Sequence, residues 1–336
     1  MKDSATIYQE ILREIDQASQ VMLVMHQKPD GDAAGACLAL AHYLDTLEKP
    51  HTCFCVDELP STLRFLPGNY KVTTEGHHWH PDKGRFDLLI VVDSGDLKHA
   101  GIADYIDALT HDFKIINIDH HPTNNGYGHH NLVATTASST CEIVHQLLES
   151  VDALNKDIAT CLMTGLVSDT GGFTNLATTA SSVHTASKLL LKGVNLKTIT
   201  SHTMQNRNVP DLKLWGRALE RLTSTPYGLV ITVITQKDLE ECGVDEEALE
   251  GVSNFLNSLD EQTDAKAILV LSERKGGIVK GSLRTTHPLI DVSKIATLFG
   301  GGGHKKAAGF SLEGRITIKD GEWRIEPLEK TNKSTD

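Results

Sequence analysis

Residues able to bind metal ions are concentrated in one short stretch, where His26-Gln27-Lys28-Pro29-Asp30-Gly31-Asp32 places one imidazole and two carboxylates in a single turn. Two carboxylates this close repel each other unless a cation lies between them, and oxygen and imidazole ligands suit a hard or borderline divalent ion. An ordinary strand-to-helix turn also favours aspartate, because its side chain caps the helix. This turn alone therefore leaves both interpretations open.

Three further clusters of the same residue types follow, at Asp93, Asp119-His120-His121 and Asp169. Four clusters converging on one place are much rarer by chance than any single one. Their five carboxylates require compensating positive charge, which two divalent ions would supply. With one aspartate shared, the ions would lie about 3.5–4 Å apart, as in two-metal phosphoryl hydrolases, where a bridging water loses its proton near neutral pH and attacks phosphorus.

The elements that must position these clusters alternate between strand and helix. Apolar runs at 21–25, 87–92 and 114–118 are typical of strands buried on both faces, and each runs into one of the clusters. Helices are predicted at 33–47 and about 102–110. This pattern predicts a doubly wound parallel sheet, whose ligands bind beyond the carboxyl ends of the strands. Further helices are predicted at 4–19, 156–167, 180–192 and about 195–223. Another is predicted to begin at a cap formed by Ser138-Ser139-Thr140 with Glu142 and to end at about Glu149.

A second, smaller mixed α/β domain is predicted after about residue 224. It would contain a strand at 228–235, a helix at 236–259, a hairpin of 266–272 with 278–284, and a helix at 290–299 before a glycine run. We therefore expect a catalytic domain at 1–190, a helical linker at 191–224, a substrate-binding domain at 225–328 and a tail at 329–336. The active site is expected in the cleft between the two domains.

Composition limits the functional classes. The 336 residues carry a net charge of −12, which argues against coating long nucleic acid but permits local binding of short anionic substrates. Seven of the 32 basic residues lie within 273–306, against two acids, which favours a local anion site. No apolar run approaches the ~20 residues of a membrane span, and no signal-peptide core follows the N-terminus. The six cysteines form no CxxC pair, so we expect reduced thiols in a cytoplasmic protein without a membrane partner.

One histidine-rich segment is predicted to be a surface loop rather than a metal site. His77, His78 and His80, called the loop histidines below, lie in a polar stretch between Gly76 and Pro81, with no second ligand group nearby in the sequence.

The motifs together resemble those of the DHH phosphoesterases. His26-x-x-x-Asp30-Gly31-Asp32, Val92-Asp93-Ser94, Asp119-His120-His121 and Ser168-Asp169-Thr170 are similar to the four motifs of that family, in the same order. The run Gly301–His304 resembles the signature of the DHH-associated C-terminal domain. The resemblance covers about residues 15–312, and the chain length is similar to that of stand-alone nanoRNases. Those manganese enzymes trim short oligoribonucleotides and remove the 3′-phosphate of adenosine 3′,5′-bisphosphate.

The resemblance implies a role for each cluster, with Asp93 bridging two metal ions, most simply Mn²⁺. Asp119 would orient His120 by bonding to its ring without binding the metal itself. His121 would contact the phosphate or help to protonate the leaving oxygen. The first ion would be held by His26, Asp30 and Asp93, and the second by Asp32, Asp93, His120 and Asp169.

Substrate binding is assigned by the same resemblance to the second domain. Glycine backbone N–H groups and the adjacent His304 would cradle an anion, and Arg284 suits bidentate capture of phosphate. The expected substrate-binding residues are Arg284, Gly302, Gly303 and His304.

The implied function is a manganese-dependent phosphohydrolase acting on short RNA and nucleotide 3′-phosphates. A phosphodiesterase for cyclic or linear dinucleotides would use the same chemistry, and a catalytically silent nucleotide-binding regulator is disfavoured by the complete ligand set. An inorganic pyrophosphatase is disfavoured by the glycine-rich loop, and a RecJ-like DNA exonuclease would need a longer chain. The sequence leaves the oligomeric state, including a homodimer, open.

Overall fold

The computed structural model describes residues 4–80, 85–204, 208–249, 251–256, 265–319 and 322–327. The chain divides into two compact units, Met1–Asn206 and Arg207–Asp336. Among the described residues, no helix is long and apolar enough to cross a membrane. The predicted tail at 329–336 lies outside the described part of the chain.

In its described residues, the first unit is a sheet of six strands with seven helices. Its strands are β1 Val21–Met25, β2 His51–Phe54, β3 Val72–Thr73, β4 Leu88–Val92, β5 Lys114–Asp119 and β6 His130–Val133. Its helices are α1 Ser4–Gln17, α2 Gly31–Thr46, α3 Ala103–Asp107, α4 Thr140–Glu149, α5 Lys156–Asp169, α6 Ala180–Leu191 and α7 Leu196–Thr203.

All strand pairs in this sheet are parallel, in the order β3-β2-β1-β4-β5-β6. The order reverses between β1 and β4, and ligands of doubly wound sheets bind in the crevice outside such a reversal. The chain leaves β1 at His26 and leaves β4 at Asp93, so two of the predicted clusters begin there. The predicted fold class of this domain is confirmed.

Burial on both faces explains the continuous apolar strands. Alternate residues of β1 belong to two different cores: Val21, Leu23 and Met25 pack against the helices α2, α4 and α5, whereas Met22 and Val24 pack with Phe54 on the other face. A strand with a hydrophobic core on each side has no solvent-facing position, so no polar alternation appears in its sequence.

Close packing of α2 against α5 depends on glycine. A Cβ at Gly35 would lie 2.4 Å from the carbonyl oxygen of Cys161, a separation that real side chains do not adopt. The small residues of α2 therefore allow two helix backbones to approach each other directly beneath the turn that carries Asp30 and Asp32.

The described part of the second unit contains eight strands and four helices. Its strands are β7 Thr223–Ser224, β8 Leu229–Ile234, β9 Ala267–Arg274, β10 Ile278–Arg284, β11 Gly302–His304, β12 Ala307–Glu313, β13 Arg315–Lys319 and β14 Glu322–Glu326. Its helices are α8 Val209–Glu220, α9 Gln236–Cys242, α10 Val252–Leu256 and α11 Val292–Leu298. One sheet has the order β11-β12-β10-β9-β8-β7, and β13 pairs with β14.

This unit is mixed, as predicted, since among its described strands only β8 and β9 pair in parallel. The predicted hairpin is present: Arg274 pairs with Ile278, and Gly276 and Gly277 have positive φ angles in the turn. The strands after residue 307 were not predicted, because the glycine-rich and charged residues there show no clear alternation.

Two long helices predicted from the sequence are wrong. The predicted helix at 195–223 is two helices, because Asn208 caps the start of α8 and Pro210 lies in its first turn. The predicted helix at 236–259 ends at Cys242, because Gly243 adopts the left-handed conformation that terminates helices. Residues 257–264 lie outside the described part of the chain.

Candidate active site

The turn after β1 is fixed by Asp30, which is the N-cap of α2. Its Oδ1 accepts hydrogen bonds from the backbone N–H groups of Asp32 and Ala33, both at 3.0 Å. The capping interpretation of this turn is therefore correct for Asp30. The same oxygen also lies 3.7 Å from Nε2 of His26, so the capping carboxylate faces the imidazole as well. The two interpretations of the sequence are compatible.

His26 presents one ring nitrogen to the carboxylates. Its Nδ1–H donates to the carbonyl oxygen of Gln27 at 2.7 Å, and because a carbonyl only accepts, this bond places the proton on Nδ1. Nε2 then lies toward Asp30 and 3.5 Å from Oδ2 of Asp93. The ring also stacks on His99, with centroids 5.0 Å apart.

Asp93 lies between two groups of ligand atoms. Its Oδ2 faces His26, whereas its Oδ1 lies 3.7 Å from Nε2 of His120. The residue has φ +55°, which is uncommon outside glycine, and its N–H bonds to the carbonyl oxygen of Ile118 on β5 at 2.9 Å. The chain therefore bends sharply as it leaves β4 and aims this carboxylate along the sheet edge.

A second group joins the ends of β5 and α5 to α2. Nε2 of His120 lies 3.3 Å from Oδ2 of Asp169 and 4.0 Å from Oδ2 of Asp32. Asp32 is fully buried, and its two oxygens accept the backbone N–H groups of Thr140 (2.6 Å) and Cys141 (2.8 Å) at the start of α4. The positive end of that helix stabilises the buried charge.

The described residues at this sheet edge contain three overlapping ligand groups, and within each group the ligand atoms lie within 4.8 Å of one another. The groups are His26, Asp30 and Asp93; Asp32, His120 and Asp169; and Asp93, His120 and His121. Distances of 3.3–4.0 Å between ligand atoms are those of groups around a shared ion rather than of direct hydrogen bonds.

The electrostatics of these groups fit divalent cations. Burial and the neighbouring charges of Asp93 and Asp30 raise the pKa of Asp32 well above its usual value, and burial with the charges of Asp32, Asp30 and Asp93 does the same for the pKa of Asp169. Burial alone would lower the pKa of His26, but the carboxylates of Asp30 and Asp93 raise it to about 11. The position thus strongly favours positive charge, which metal ions supply.

The prediction that the Asp119 side chain orients the ring of His120 is wrong, because its partner is His121. The Asp119 carboxylate accepts a hydrogen bond from the ring Nδ1–H of His121 at 2.8 Å, whereas it contacts His120 only through the backbone N–H. The short turn after β5 points the two histidine rings in different directions, and only the second folds back onto the carboxylate. This bond raises the pKa of His121 despite burial of the ring, so His121 holds its proton to higher pH.

Sequence analysis missed several residues that hold the site. Asn124 donates to Oδ2 of Asp119 at 2.6 Å, and the Thr140 hydroxyl donates to Oδ1 of Asp93 at 2.9 Å. A Cβ at Gly165 on α5 would lie 2.5 Å from Oδ1 of Asp32. The only sequence signal for any of these was the helix start at Ser139–Thr140, which indicates a cap and gives no hint of the carboxylates it meets.

In the second unit, Arg284 and His304 share one face of the sheet. Arg284 pairs with Ala307 on β12, and Ala307 pairs with His304 on β11, so the three side chains form one row across adjacent strands. Two strand spacings separate Arg284 from His304, about 9.5 Å. Ala307 lies between them, so the row has a basic residue at each end and only a small side chain at its centre.

The glycine run differs from the predicted loop, because Gly302–His304 is a strand at the sheet edge. Gly303 has φ +137°, and a Cβ there would lie 2.7 Å from the Ala307 carbonyl oxygen, so its glycine is required by strand packing. By contrast, a Cβ at Gly302 would meet nothing within 4 Å in the described part of the chain. Gly302 pairs with Gly309, which extends the low surface beside the Arg284–His304 row.

The predicted basic segment 273–306 is not one patch. Arg274 and Lys275 lie at the far end of β10 from Arg284 and pair with Glu246 and Asp245 at 3.1 and 3.9 Å. The seven-residue strand β10 separates these two ends by about 20 Å. Basic residues that are close in the sequence therefore lie far apart in the fold, and the positive charge near Arg284 is smaller than the sequence indicated.

Of the loop histidines, His77 and His78 lie in a short 3₁₀ turn at Gly76–Trp79, and His80 directly follows it. Glu75, His77 and His78 come close enough to form a separate ligand group, and Nδ1 of His77 pairs with Glu75 at 2.9 Å. The Glu75 and His77 side chains are about half exposed or more, whereas among the ligands at the sheet edge only Asp30 is exposed to that extent.

A parallel sheet with acidic and imidazole ligands beyond the carboxyl ends of its strands, followed by a mixed domain, defines a phosphoesterase with groups suited to divalent metal ions. The chain belongs to the DHH family: residues 20–166 match the model of the DHH family N-terminal domain, and residues 218–322 match that of the DHHA1 domain.

Similar curated proteins agree with this assignment over nearly the full chain. The bifunctional oligoribonuclease and PAP phosphatase NrnA of Thermus thermophilus is 29% identical over 91% of this chain and 87% of its own length. The protein of the same name from Bacillus subtilis is 26% identical, with 90% and 92% covered. An exopolyphosphatase-related protein from Bacteroides fragilis shares the fold, with a TM-score of 0.84, 24% identity, and 94% and 92% covered.

Proposed function

We propose that this enzyme hydrolyses short oligoribonucleotides to mononucleotides and removes the 3′-phosphate of adenosine 3′,5′-bisphosphate, using two manganese ions. The observation that carries the proposal is the position of Asp93, whose two oxygens face the His26 and His120 groups separately. The activities named for the relatives from Thermus thermophilus and Bacillus subtilis support the substrate class. The free thiols support a cytoplasmic location.

The proposed ligands divide as the geometry suggests. His26, Asp30 and Asp93 would hold one ion, and Asp32, Asp93, His120 and Asp169 the other. When bound, the ions supply the positive charge that stabilises the phosphoryl transition state and lower the pKa of a water molecule.

His121 is the proposed acid for the leaving oxygen. Its Nδ1–H is committed to Asp119, so Nε2–H is the atom that would approach a phosphate or leaving group. Asp119 is itself held by Asn124, which keeps the imidazole oriented. The bond to Asp119 raises the pKa of His121, which favours the protonated ring that an acid requires.

The second unit is proposed to bind the nucleotide end of the substrate. Arg284 and His304 would contact a phosphate from the two ends of their row, and the low surface at Gly302 would accept the rest of the nucleotide. Charge-assisted hydrogen bonds to a charged group contribute about 1.5–3 kcal/mol, so Arg284→Ala should lower kcat/KM by about 10- to 100-fold. Both metal ions should remain bound.

A matched variant tests whether position rather than charge is responsible. Lys275→Ala removes the same charge at the opposite end of β10 and should leave kcat/KM unchanged. Gly302→Val should block nucleotide substrates without lowering stability, because the new side chain has open space around its Cβ. Loss of metal from the Arg284 variant, or equal effects of Arg284→Ala and Lys275→Ala, would show that this surface has another role.

The substrate class is tested by one panel in manganese buffer: RNA of two to five nucleotides, adenosine 3′,5′-bisphosphate, a cyclic dinucleotide and pyrophosphate. We expect turnover of the first two. Preference for the cyclic dinucleotide would favour the dinucleotide phosphodiesterase instead, and binding without turnover would indicate a regulator.

Substrate length gives an independent test. The chain has a net charge of −12, and two divalent ions would still leave it negative, so each nucleotide beyond the site meets a surface that offers few phosphate contacts. We expect efficiency to be highest for two to five nucleotides, to fall for chains of several tens, and to depend weakly on salt. Rising efficiency with length and a steep salt dependence would instead indicate a processive exonuclease.

A further inference from the structure

The first turn of α4 contacts the two carboxylates that lie at the centre of the ligand groups. The Thr140 hydroxyl donates to Oδ1 of Asp93 at 2.9 Å, and the backbone N–H of the same residue donates to Oδ2 of Asp32 at 2.6 Å. All three side chains are buried. We propose that Thr140 is a positioning residue for the metal pair, whose hydroxyl fixes the rotation of the Asp93 carboxylate. This role rests on the proposed function, because it requires that Asp93 binds both ions.

The rotation of Asp93 needs such an anchor. The terminal torsion of an aspartate is broad, so its carboxylate turns easily unless a partner holds one oxygen. The backbone of Asp93 is already fixed at φ +55° by its bond to Ile118, but this does not set the carboxylate plane. The Thr140 hydroxyl sets the plane of the carboxylate. With the carboxylate in this plane, Oδ1 lies 3.7 Å from His120 Nε2 and Oδ2 lies 3.5 Å from His26 Nε2.

The hydroxyl bond is compatible with metal binding by the same oxygen. A carboxylate oxygen has two lone-pair directions, so Oδ1 can accept the hydroxyl proton through one and face the His120 group through the other. Threonine is also a stiff anchor, because its branched Cβ restricts the first side-chain torsion. Its backbone N–H is held at Asp32, so a single residue couples the two aspartates.

Helix capping is a separate task, performed by the preceding residue. Ser139 is the N-cap of α4, and its side chain accepts the N–H of Glu142 at 3.1 Å. The chain thus offers a matched pair of changes at adjacent positions: one removes the hydroxyl on Asp93, and the other weakens the same helix without touching that hydroxyl.

The experiment compares T140V, T140S and S139A in the full-length protein. Titration with Mn²⁺ alone, measured by calorimetry, gives the affinity and stoichiometry of metal binding. Thermal unfolding gives the stability of each variant. T140V keeps the side-chain shape but has no donor, so we expect Mn²⁺ binding weakened by about 10- to 100-fold, with activity recovered at high Mn²⁺. T140S should bind Mn²⁺ within a few-fold of wild type, and S139A should unfold at lower temperature while binding Mn²⁺ normally.

Three results would overturn the proposal: wild-type Mn²⁺ affinity in T140V, equal losses in T140V and S139A, or a T140S variant as weak as T140V. If T140V does not fold, the comparison of T140A with T140S decides in the same way. Mn²⁺ binding is measured without substrate, so an error in the proposed substrate class leaves this result standing, whereas a wild-type protein that binds no Mn²⁺ refutes both proposals.

Discussion

Replacing Gly165 by alanine tests how precisely helix packing sets the position of Asp32. Gly165 lies on α5 against α2, and an added Cβ would lie 2.5 Å from Oδ1 of Asp32, 2.9 Å from its Cα and 2.3 Å from Sγ of Cys141. The two closest approaches are to the Asp32 carboxylate and the Cys141 thiol, and both groups are buried, so the Asp32 carboxylate or the helix that carries it must move.

The size of that movement sets the expected loss. Real Cβ atoms essentially never come closer than 3.0 Å to such neighbours, so the added methyl group requires a shift of roughly 0.5–1 Å. Misplacement by about 1 Å costs around 100-fold in rate, so we expect kcat/KM to fall by about 10- to 100-fold. Overpacking costs about 1–3 kcal/mol, whereas alanine gains about 1 kcal/mol of helix propensity, so the net destabilisation is at most about 2 kcal/mol.

The control is Gly216→Ala on α8, where an added Cβ has no described neighbour within 4 Å. It should keep the propensity gain of up to about 1 kcal/mol and leave activity unchanged. The assay is kcat/KM on an RNA dimer at saturating Mn²⁺, with unfolding followed by circular dichroism. If Gly165→Ala were as active as wild type and more stable, the packing of α5 on α2 would not set the site geometry.

Three further changes test other parts of the molecule. Asp93→Asn should abolish turnover and release metal, because a neutral amide cannot bridge two cations; retention of two bound ions with most activity would refute the bridging role. Alanine at all three loop histidines should change neither metal content nor rate, and a matching loss of Mn²⁺ would identify a metal site there. Asp238→Asn should destabilise the second unit by about 3 kcal/mol at pH 7, because it breaks the buried pair with Arg221. Burial would raise the pKa of Asp238, but the bonds from Arg221 and Thr235 hold it below its usual value; the difference from wild type should therefore persist above about pH 4 and shrink as the pH falls further, as urea unfolding at pH 7 and pH 3 would show.

The second unit shows where sequence patterns stop being informative. The hairpin of β9 and β10 was predictable because its strands alternate around a glycine turn, which is a local property. The edge strand β11 was not, because its three residues become a strand only by pairing with β12. The basic segment was also misjudged, because its residues are near one another in the sequence but the extended strand β10 places its two ends about 20 Å apart.

The sequence by itself determined the doubly wound sheet and the clusters at its edge, because burial on both faces leaves continuous apolar runs and because each cluster directly follows such a run. The Asp169 cluster is the exception, because it ends the helix α5. What the sequence left undetermined is which atoms meet. The pairing of Asp119 with His121, the hydroxyl of Thr140 on Asp93 and the close approach of Gly165 to Asp32 join residues from separate elements, or depend on the direction of a ring. Only the packing of α2, α4 and α5 against the sheet decides those directions, because side-chain orientation is set by the atoms that surround it in space.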